Sequence, residues 1–160
     1  MFTQAEQAQV LILGVGSPLM GDDGAGARAI ELLKQQPDLP EDVELLEIGT
    51  PGWSLSAWFE NRSSVVLIDA VQMGLTPGAW RKIDLRQDRI LLQEPAFSLH
   101  QADLACGLVL AQELDLLPPQ LTLYGIEPAC LEAGNSLSPE VESSLNELVH
   151  SIVKDVQRKP

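Results

Sequence analysis

Three aspartates and one histidine are the residues of this sequence most able to do metal chemistry. Asp22 and Asp23 follow a glycine-rich turn. Asp69 directly follows the apolar run VVLI, and His100 opens a stretch with helical spacing. Two carboxylates and an imidazole suit a divalent cation and leave coordination positions free for a substrate ligand. The pattern predicts a metal site that draws on the aspartate pair, Asp69 and His100.

Each of these residues also has an ordinary structural interpretation. Acidic residues at a helix start act as caps worth about 0.5–2 kcal/mol, which would account for one aspartate of the pair. Asp69 alone is typical of a turn residue that accepts bonds from the following amides. His100 alone is typical of a surface or capping imidazole. The other histidine, His150, falls in the predicted terminal helix, where we expect it to be partly exposed and without a role.

Three other kinds of site are disfavoured by the motifs. Gly14 and Gly16 are followed by Ser-Pro-Leu, so the third glycine of a dinucleotide fingerprint is missing. No lysine precedes Lys34, and two carboxylates at a helix start would repel a phosphate. No serine stands in a GxSxG elbow, and neither Cys106 nor Cys130 sits in a nucleophile motif.

Composition excludes further classes. The 160 residues include 10 Lys+Arg against 23 Asp+Glu, for a net charge of −13, which argues against binding to nucleic acid or to an anionic membrane. The start lacks the regions of a secretory signal, and no apolar run approaches the ~20 residues of a membrane span. Two cysteines rule out a disulfide scaffold or a zinc ribbon. We expect a cytoplasmic protein whose two reduced thiols pack as small apolar side chains.

The elements that must position these residues alternate along the chain. Short apolar runs and one run of mixed polarity predict strands over Val10–Val15, Val43–Ile48, Val65–Ile68, Ala79–Leu85 and Leu121–Ile126. Helical spacing predicts helices over Ala25–Gln36, Leu55–Phe59, His100–Leu116 and a terminal helix with Ser138 as N-cap. Alternation predicts an α/β fold: a single three-layer α/β/α domain over residues 1–160, with a mostly parallel twisted sheet of about five strands and one antiparallel edge strand. Its strand ends would bring the polar residues together at one edge.

Four motifs occur in order, and together they identify a family. They are LGVGSPLMGDDGAG (Leu13–Gly26), IDAVQMGLTPG (Ile68–Gly78), SLHQ (Ser98–Gln101) and YGIEP (Tyr124–Pro128). The sequence resembles the nickel–iron hydrogenase maturation endopeptidases over Val10 to about Leu148, with Ser17 where the family often has Asn. The resemblance implies a protease that removes the carboxyl-terminal extension of a hydrogenase large-subunit precursor after nickel insertion.

The resemblance also implies the site residues. It assigns the metal contacts to Asp23, Asp69 and His100, which would sense nickel carried by the substrate, although other divalent ions are expected to enter the site in vitro. It leaves the general base unassigned, and Asp22 is our candidate for orienting amides of the glycine-rich loop or for capping. The implied partner is the large-subunit precursor, with no nucleic acid and no membrane, and we expect a monomer.

Two alternatives and several softer features stay open. A non-catalytic module that escorts nickel or the precursor would use the same three metal contacts but would not shorten the precursor, and a nucleotide-binding Rossmann-like enzyme would keep only the fold. Glu127 is interpreted either as a wall of the cleft or as an exposed acid. Gly74 and Pro77-Gly78 suit a loop at the cleft or a plain turn. The tryptophans suit core or edge packing more than a peptide-docking surface: Trp53, Trp58 and Trp80.

Overall fold

The computed structural model describes residues 8–87 and 99–158, with the side chains of residues 99–103 outside the description. Within this part of the chain, strands form one sheet: β1 (Val10–Val15), β2 (Val43–Gly49), β3 (Ser64–Ala70), β4 (Trp80–Asp84) and β5 (Gln120–Ile126). Their spatial order is β2-β1-β3-β5-β4. All neighbours are parallel except β4, which pairs antiparallel with β5 at the edge, so the predicted sheet is confirmed.

Helices cover both faces of the sheet and complete the predicted three layers. They are the α-helices α1 (Ala25–Leu33), α2 (Leu99–Glu113) and α3 (Pro139–Gln157), and the 3₁₀ helices Gly21–Gly24 and Gly52–Trp58. One apolar core lies between the sheet and α1 with α3. The other lies between the sheet and α2 with the second 3₁₀ helix. Because β3 faces both cores, every one of its residues is buried, which explains its almost wholly apolar sequence.

The parallel strands place their carboxyl ends along one edge of the sheet, which is called the carboxyl edge below. The glycine-rich segment follows β1 at this edge. Asp69 is the penultimate residue of β3, and Glu127 directly follows β5. The predicted convergence of sequence-distant polar residues is therefore a property of the topology.

The helix boundaries differ slightly from the predictions, for local reasons. The helix predicted over Ala25–Gln36 ends at Leu33, because Gln35 and Gln36 bond three residues back in a tighter turn before Pro37. The helix predicted to reach Leu116 ends at Glu113, because Asp115 takes a left-handed conformation (φ 55°). Ser138 caps α3 as predicted, with Pro139 at its first position.

Two packing predictions are wrong in part. Trp53 is 63% exposed, whereas Trp58 and Trp80 pack against the two cores. Both cysteines are free thiols, but only Cys106 is half-buried, and Cys130 is exposed. None of the helices in the described ranges is long and apolar enough to cross a membrane.

Candidate active site

The loop after β1 is shaped by a glycine that no other residue could replace. Gly16 has a φ of +104°, and a Cβ at this position would collide with the carbonyl oxygen of Asp23. Its N–H donates to the carbonyl of Gly49, at the end of β2, over 2.7 Å. The loop therefore folds tightly over the 3₁₀ helix Gly21–Gly24, which carries the aspartate pair.

Asp23 lies beneath this loop and is only 2% exposed. The N–H of Ser17 donates to its Oδ2 over 2.7 Å. Among the described residues, this amide is the one hydrogen-bond donor to the Asp23 carboxylate. The side chain is thus held in a fixed position while its second oxygen, Oδ1, keeps its capacity to bind a ligand.

Asp69 lies at the end of β3 and is 4% exposed. Burial raises the pKa of Asp69 well above its ordinary value of 3.8, the negative charge of Asp23 raises it further, and a bond from the N–H of Ala70 lowers it only in part. Two like charges in a buried place oppose each other. Burial and the Asp23 charge therefore both make ionisation of Asp69 less favourable than it is in water.

The packing of α1 brings the two carboxylates close to each other. A Cβ on Gly26 would lie 2.6 Å from the carbonyl oxygen of Ile68, so α1 begins directly against the end of β3. Gly26 is three residues after Asp23, and Ile68 is one residue before Asp69. The glycine permits this close approach, and with it the electrostatic contact of the two acids.

Asp22 does a different job from the one predicted for it. Its carboxylate accepts bonds from the N–H groups of Ala129, Cys130 and Ser138 and from the Ser138 hydroxyl, at 2.6–3.0 Å. Neither the 3₁₀ helix Gly21–Gly24 nor α1 has a side-chain cap bond, so the capping interpretation is wrong. The loop amide of Ser17 is bound by Asp23 instead. Burial opposes ionisation of Asp22, but these bonds prevail and its pKa lies below 3.8.

Glu127 is a second buried acid that holds a loop, and its interpretation as an exposed acid is wrong. It is 7% exposed, and its Oε2 accepts bonds from the N–H groups of Met73 and Leu75, at 2.6 and 3.2 Å. These bonds fix the segment that follows Asp69. Asp69 and Glu127 are marked in the sequence in the same way, because each is an acidic residue at or directly after the end of a buried apolar strand.

His100 is the second residue of α2, and its side chain lies outside the described residues, as does Ser98 of the SLHQ motif. Because α2 leads into β5, the helix runs antiparallel to that strand and begins toward the carboxyl edge. Among the described side chains there is no group of three possible metal ligands. The metal contacts of Asp23, Asp69 and His100 thus all stay predictions. His150 is an exposed residue of α3.

The described geometry brings together a pair of carboxylates suited to a cation. Asp23 and Asp69 come from different elements, both are buried, and neither is paired with a basic side chain in the described ranges. Carboxylate oxygens with free lone pairs can bind a divalent ion, which would relieve their mutual repulsion.

A family model and individual relatives of known name both connect this chain with hydrogenase maturation. The family model described as hydrogenase maturation protease matches residues 27–155, a range that includes Asp69 and His100 and begins after Asp23. Hydrogenase expression/formation protein HupD of Rhodobacter capsulatus is 33% identical over 156 residues, covering 93% of this chain and 71% of that protein. Hydrogenase 2 maturation protease of Escherichia coli K12 is 33% identical over 147 residues, covering 91% of this chain and 88% of that protein.

The fold comparison agrees with the sequence comparison. The structure of the hydrogenase maturating endopeptidase HybD from E. coli matches with a TM-score of 0.81 and 30% identity, covering 93% of this chain and 92% of that one. The shared fold, the matched family model and the identity over most of the chain all point the same way. This chain belongs to the hydrogenase maturation protease family and is a hydrolase of the endopeptidase type.

Proposed function

We propose that this protein removes the carboxyl-terminal extension of a nickel–iron hydrogenase large-subunit precursor after nickel insertion. In this proposal Asp23, Asp69 and His100 contact nickel that the precursor already holds. The nickel is part of the substrate, so a precursor without nickel lacks the feature that is recognised. Membership of a protease family favours cleavage over the alternative of a non-catalytic escort.

The observation that carries the proposal is that two buried carboxylates, those of Asp23 and Asp69, lie close enough to repel each other. Asp69 is 4% exposed, and the charge of Asp23 adds to the burial that raises its pKa. A fold that needed only a packed strand end would place an apolar or paired residue here, because buried unpaired charge is costly. A divalent cation brought by the substrate would convert the repulsion into attraction.

The geometry suggests how recognition leads to cleavage. The Asp23 side chain is held by the Ser17 amide, and the buried Asp69 side chain accepts a bond from the N–H of Ala70, which reduces the ordering needed when the substrate binds. A nickel ion held by substrate ligands accepts further ligands where its coordination sphere is open. Docking on the metal would then position the adjacent peptide bond, and the metal can polarise its carbonyl or activate a water.

The test is processing of a nickel-loaded precursor compared with the same precursor without nickel. We expect the unsubstituted protein to shorten only the nickel-loaded form, as a mass loss equal to the extension. We expect Asp23→Asn, Asp69→Asn and His100→Ala to prevent shortening, whereas His150→Ala, an exposed histidine on α3, leaves it unchanged. Normal cleavage by the three site variants would refute the site assignment.

The same assay separates cleavage from escort. A non-catalytic escort would form a complex with the nickel-loaded precursor and leave its mass unchanged. Equal cleavage of nickel-loaded and nickel-free precursors would show a protease that does not sense the metal. We further propose a monomer that acts in the cytoplasm, to be checked by size-exclusion chromatography and cell fractionation.

A further inference from the structure

Beside the carboxylate pair, the loop after β1 holds an apolar tip out in the solvent. This Pro18–Leu19 tip consists of two exposed residues, and the Leu19 side chain is 69% exposed. The residues immediately before Ser17 are buried, as are the four residues of the 3₁₀ helix that carries Asp23. The tip is thus the exposed part of a segment whose ends are buried, with half-buried Ser17 and Met20 on either side of it.

The backbone of this tip is fixed on both sides. The Leu19 carbonyl accepts a bond from the N–H of Gly134 over 2.9 Å, and the carbonyl of Gly134 accepts one from the N–H of Gly21 over the same distance. The Ser17 hydroxyl accepts a bond from the N–H of Leu19 over 3.3 Å. Pro18 in turn lies against Gly24, because a Cβ added to Gly24 would be 3.0 Å from the Cα of Pro18.

The same backbone is tied to the candidate site. Ser17, whose N–H binds the Asp23 carboxylate, is only two residues before Leu19. The Cα atoms of Ser17 and Leu19 can be no more than about 7 Å apart. The leucine side chain and the Asp23 carboxylate are therefore carried by one rigid unit at the carboxyl edge.

A single exposed leucine is common on protein surfaces, so its location and rigidity are what matter here. Leu114 is 55% exposed, but it follows α2 and precedes β5, at the opposite edge of the sheet. Leu19 differs because its backbone is held by hydrogen bonds and lies two residues from Ser17, which binds the Asp23 carboxylate. An apolar side chain on a backbone that is ordered before binding is buried by a partner without an added cost in backbone entropy.

We propose that the Pro18–Leu19 tip is the docking anchor for an apolar side chain of the hydrogenase precursor, in the segment next to the nickel. This inference rests on the proposed function and adds a specificity-determining contact to it. The net charge of −13 favours a neutral or basic segment over an acidic one at this edge. The tip binds the substrate in its ground state and in its transition state alike, so it acts on KM.

The test is steady-state cleavage of the nickel-loaded precursor by the full-length protein. For Leu19→Ser we expect kcat/KM to fall by about 10- to 100-fold, the factor that corresponds to burial of one leucine side chain, with the loss in KM and kcat unchanged. Leu19→Met, which keeps an apolar side chain of similar volume, restores cleavage to within a few-fold. Leu114→Ser is the matched control and leaves both constants unchanged.

Each outcome decides the inference. A Leu19→Ser protein with unchanged KM, or a Leu114→Ser protein with an equal loss, would overturn the docking role. A fall in kcat alone would also overturn it, because the tip would then act on the chemical step. Leu19→Ser should keep the cadmium affinity and melting temperature of the unsubstituted protein. Failure of the unsubstituted protein to cleave any nickel-loaded precursor would instead overturn the proposed function, and this inference with it.

Discussion

Asp22 and Asp69 are both almost fully hidden from solvent, but their surroundings are opposite. Asp22 accepts bonds from three backbone N–H groups and one hydroxyl, and its pKa is lowered. Asp69 receives one bond, from the N–H of Ala70, within the described residues, and it faces the charge of Asp23. Burial therefore says little about what a carboxylate does, and its hydrogen-bond partners say much more.

The difference separates structural from functional acids. Asp22 stabilises the fold by joining the loop after β1 to the segment Ala129–Ser138, and Glu127 similarly holds the segment after β3. Asp69 and Asp23 oppose folding when both are ionised, which is typical of residues kept for function. If this division is right, substitutions in the two groups should change stability in opposite directions.

The largest effect is expected at Asp69. Asp69→Asn should lower processing of nickel-loaded precursor by about a thousandfold or more, because a metal contact worth several kcal/mol is lost. The same change should raise the free energy of unfolding, because a neutral amide replaces a buried acid with a raised pKa. Urea unfolding and precursor mass measure the two effects. Asp42→Asn, at an exposed aspartate before β2, should change neither.

Asp22→Ala should show the reverse stability effect. We expect a loss of about 3–5 kcal/mol in the free energy of unfolding, because three backbone N–H groups and a hydroxyl lose their acceptor. Urea unfolding gives the value directly. A loss below about 1 kcal/mol would mean that water replaces the carboxylate without cost, and the comparison between the two aspartates would fail.

The pH dependence of stability should distinguish the same two residues. The pKa of Asp22 is lowered, so its bonds stabilise the fold above about pH 4 and are lost as the pH falls through the folded pKa. The pKa of Asp69 is raised, so stability falls as the pH rises above about 4 toward the folded pKa. Urea midpoints should be measured from acid to neutral pH. In Asp22→Ala the loss of stability at low pH should become smaller, and in Asp69→Asn the fall in stability with rising pH should become smaller. Unchanged profiles in both variants would contradict these assignments.

The smallest effect is expected at Ser138. Its hydroxyl donates to Asp22 over 2.9 Å and accepts from the N–H of Val141 over 3.4 Å, as the N-cap of α3. Ser138→Ala should cost about 1–2 kcal/mol of stability, the usual value of an N-cap. Ser143→Ala, at an exposed position within α3, is the control and should cost far less. Equal losses of stability in Ser138→Ala and Ser143→Ala would show that the bonds of the Ser138 hydroxyl to Asp22 and Val141 do not stabilise the fold.

The fold could be predicted because its signals are local. The runs VLILGV and VVLI became β1 and β3 because strands covered on both faces must be apolar at nearly every position. Ser138 and Pro139 marked the start of α3 for a similarly local reason. Asp69 could be predicted as a candidate site residue because an acidic residue directly after the apolar run VVLI is unusual in a buried strand.

The roles of Asp22 and Glu127 could not be predicted, because their partners are distant in sequence. The donors to Asp22 are 107 to 116 residues away, and those to Glu127 are 52 and 54 residues away. No pattern near either acid encodes those partners. The exposure of Trp53 could not be predicted, because tryptophan is usually buried and only the tertiary structure shows this side chain, in the 3₁₀ helix Gly52–Trp58, to be exposed.

The most direct test of the proposed metal site is a crystal structure of the protein with bound cadmium. We predict one cadmium ion that is coordinated by an oxygen of Asp23, an oxygen of Asp69 and a ring nitrogen of His100, with Asp22 still bonded to Ala129 and Ser138. A structure in which cadmium binds elsewhere, or in which these three side chains contact no common ion, would contradict it.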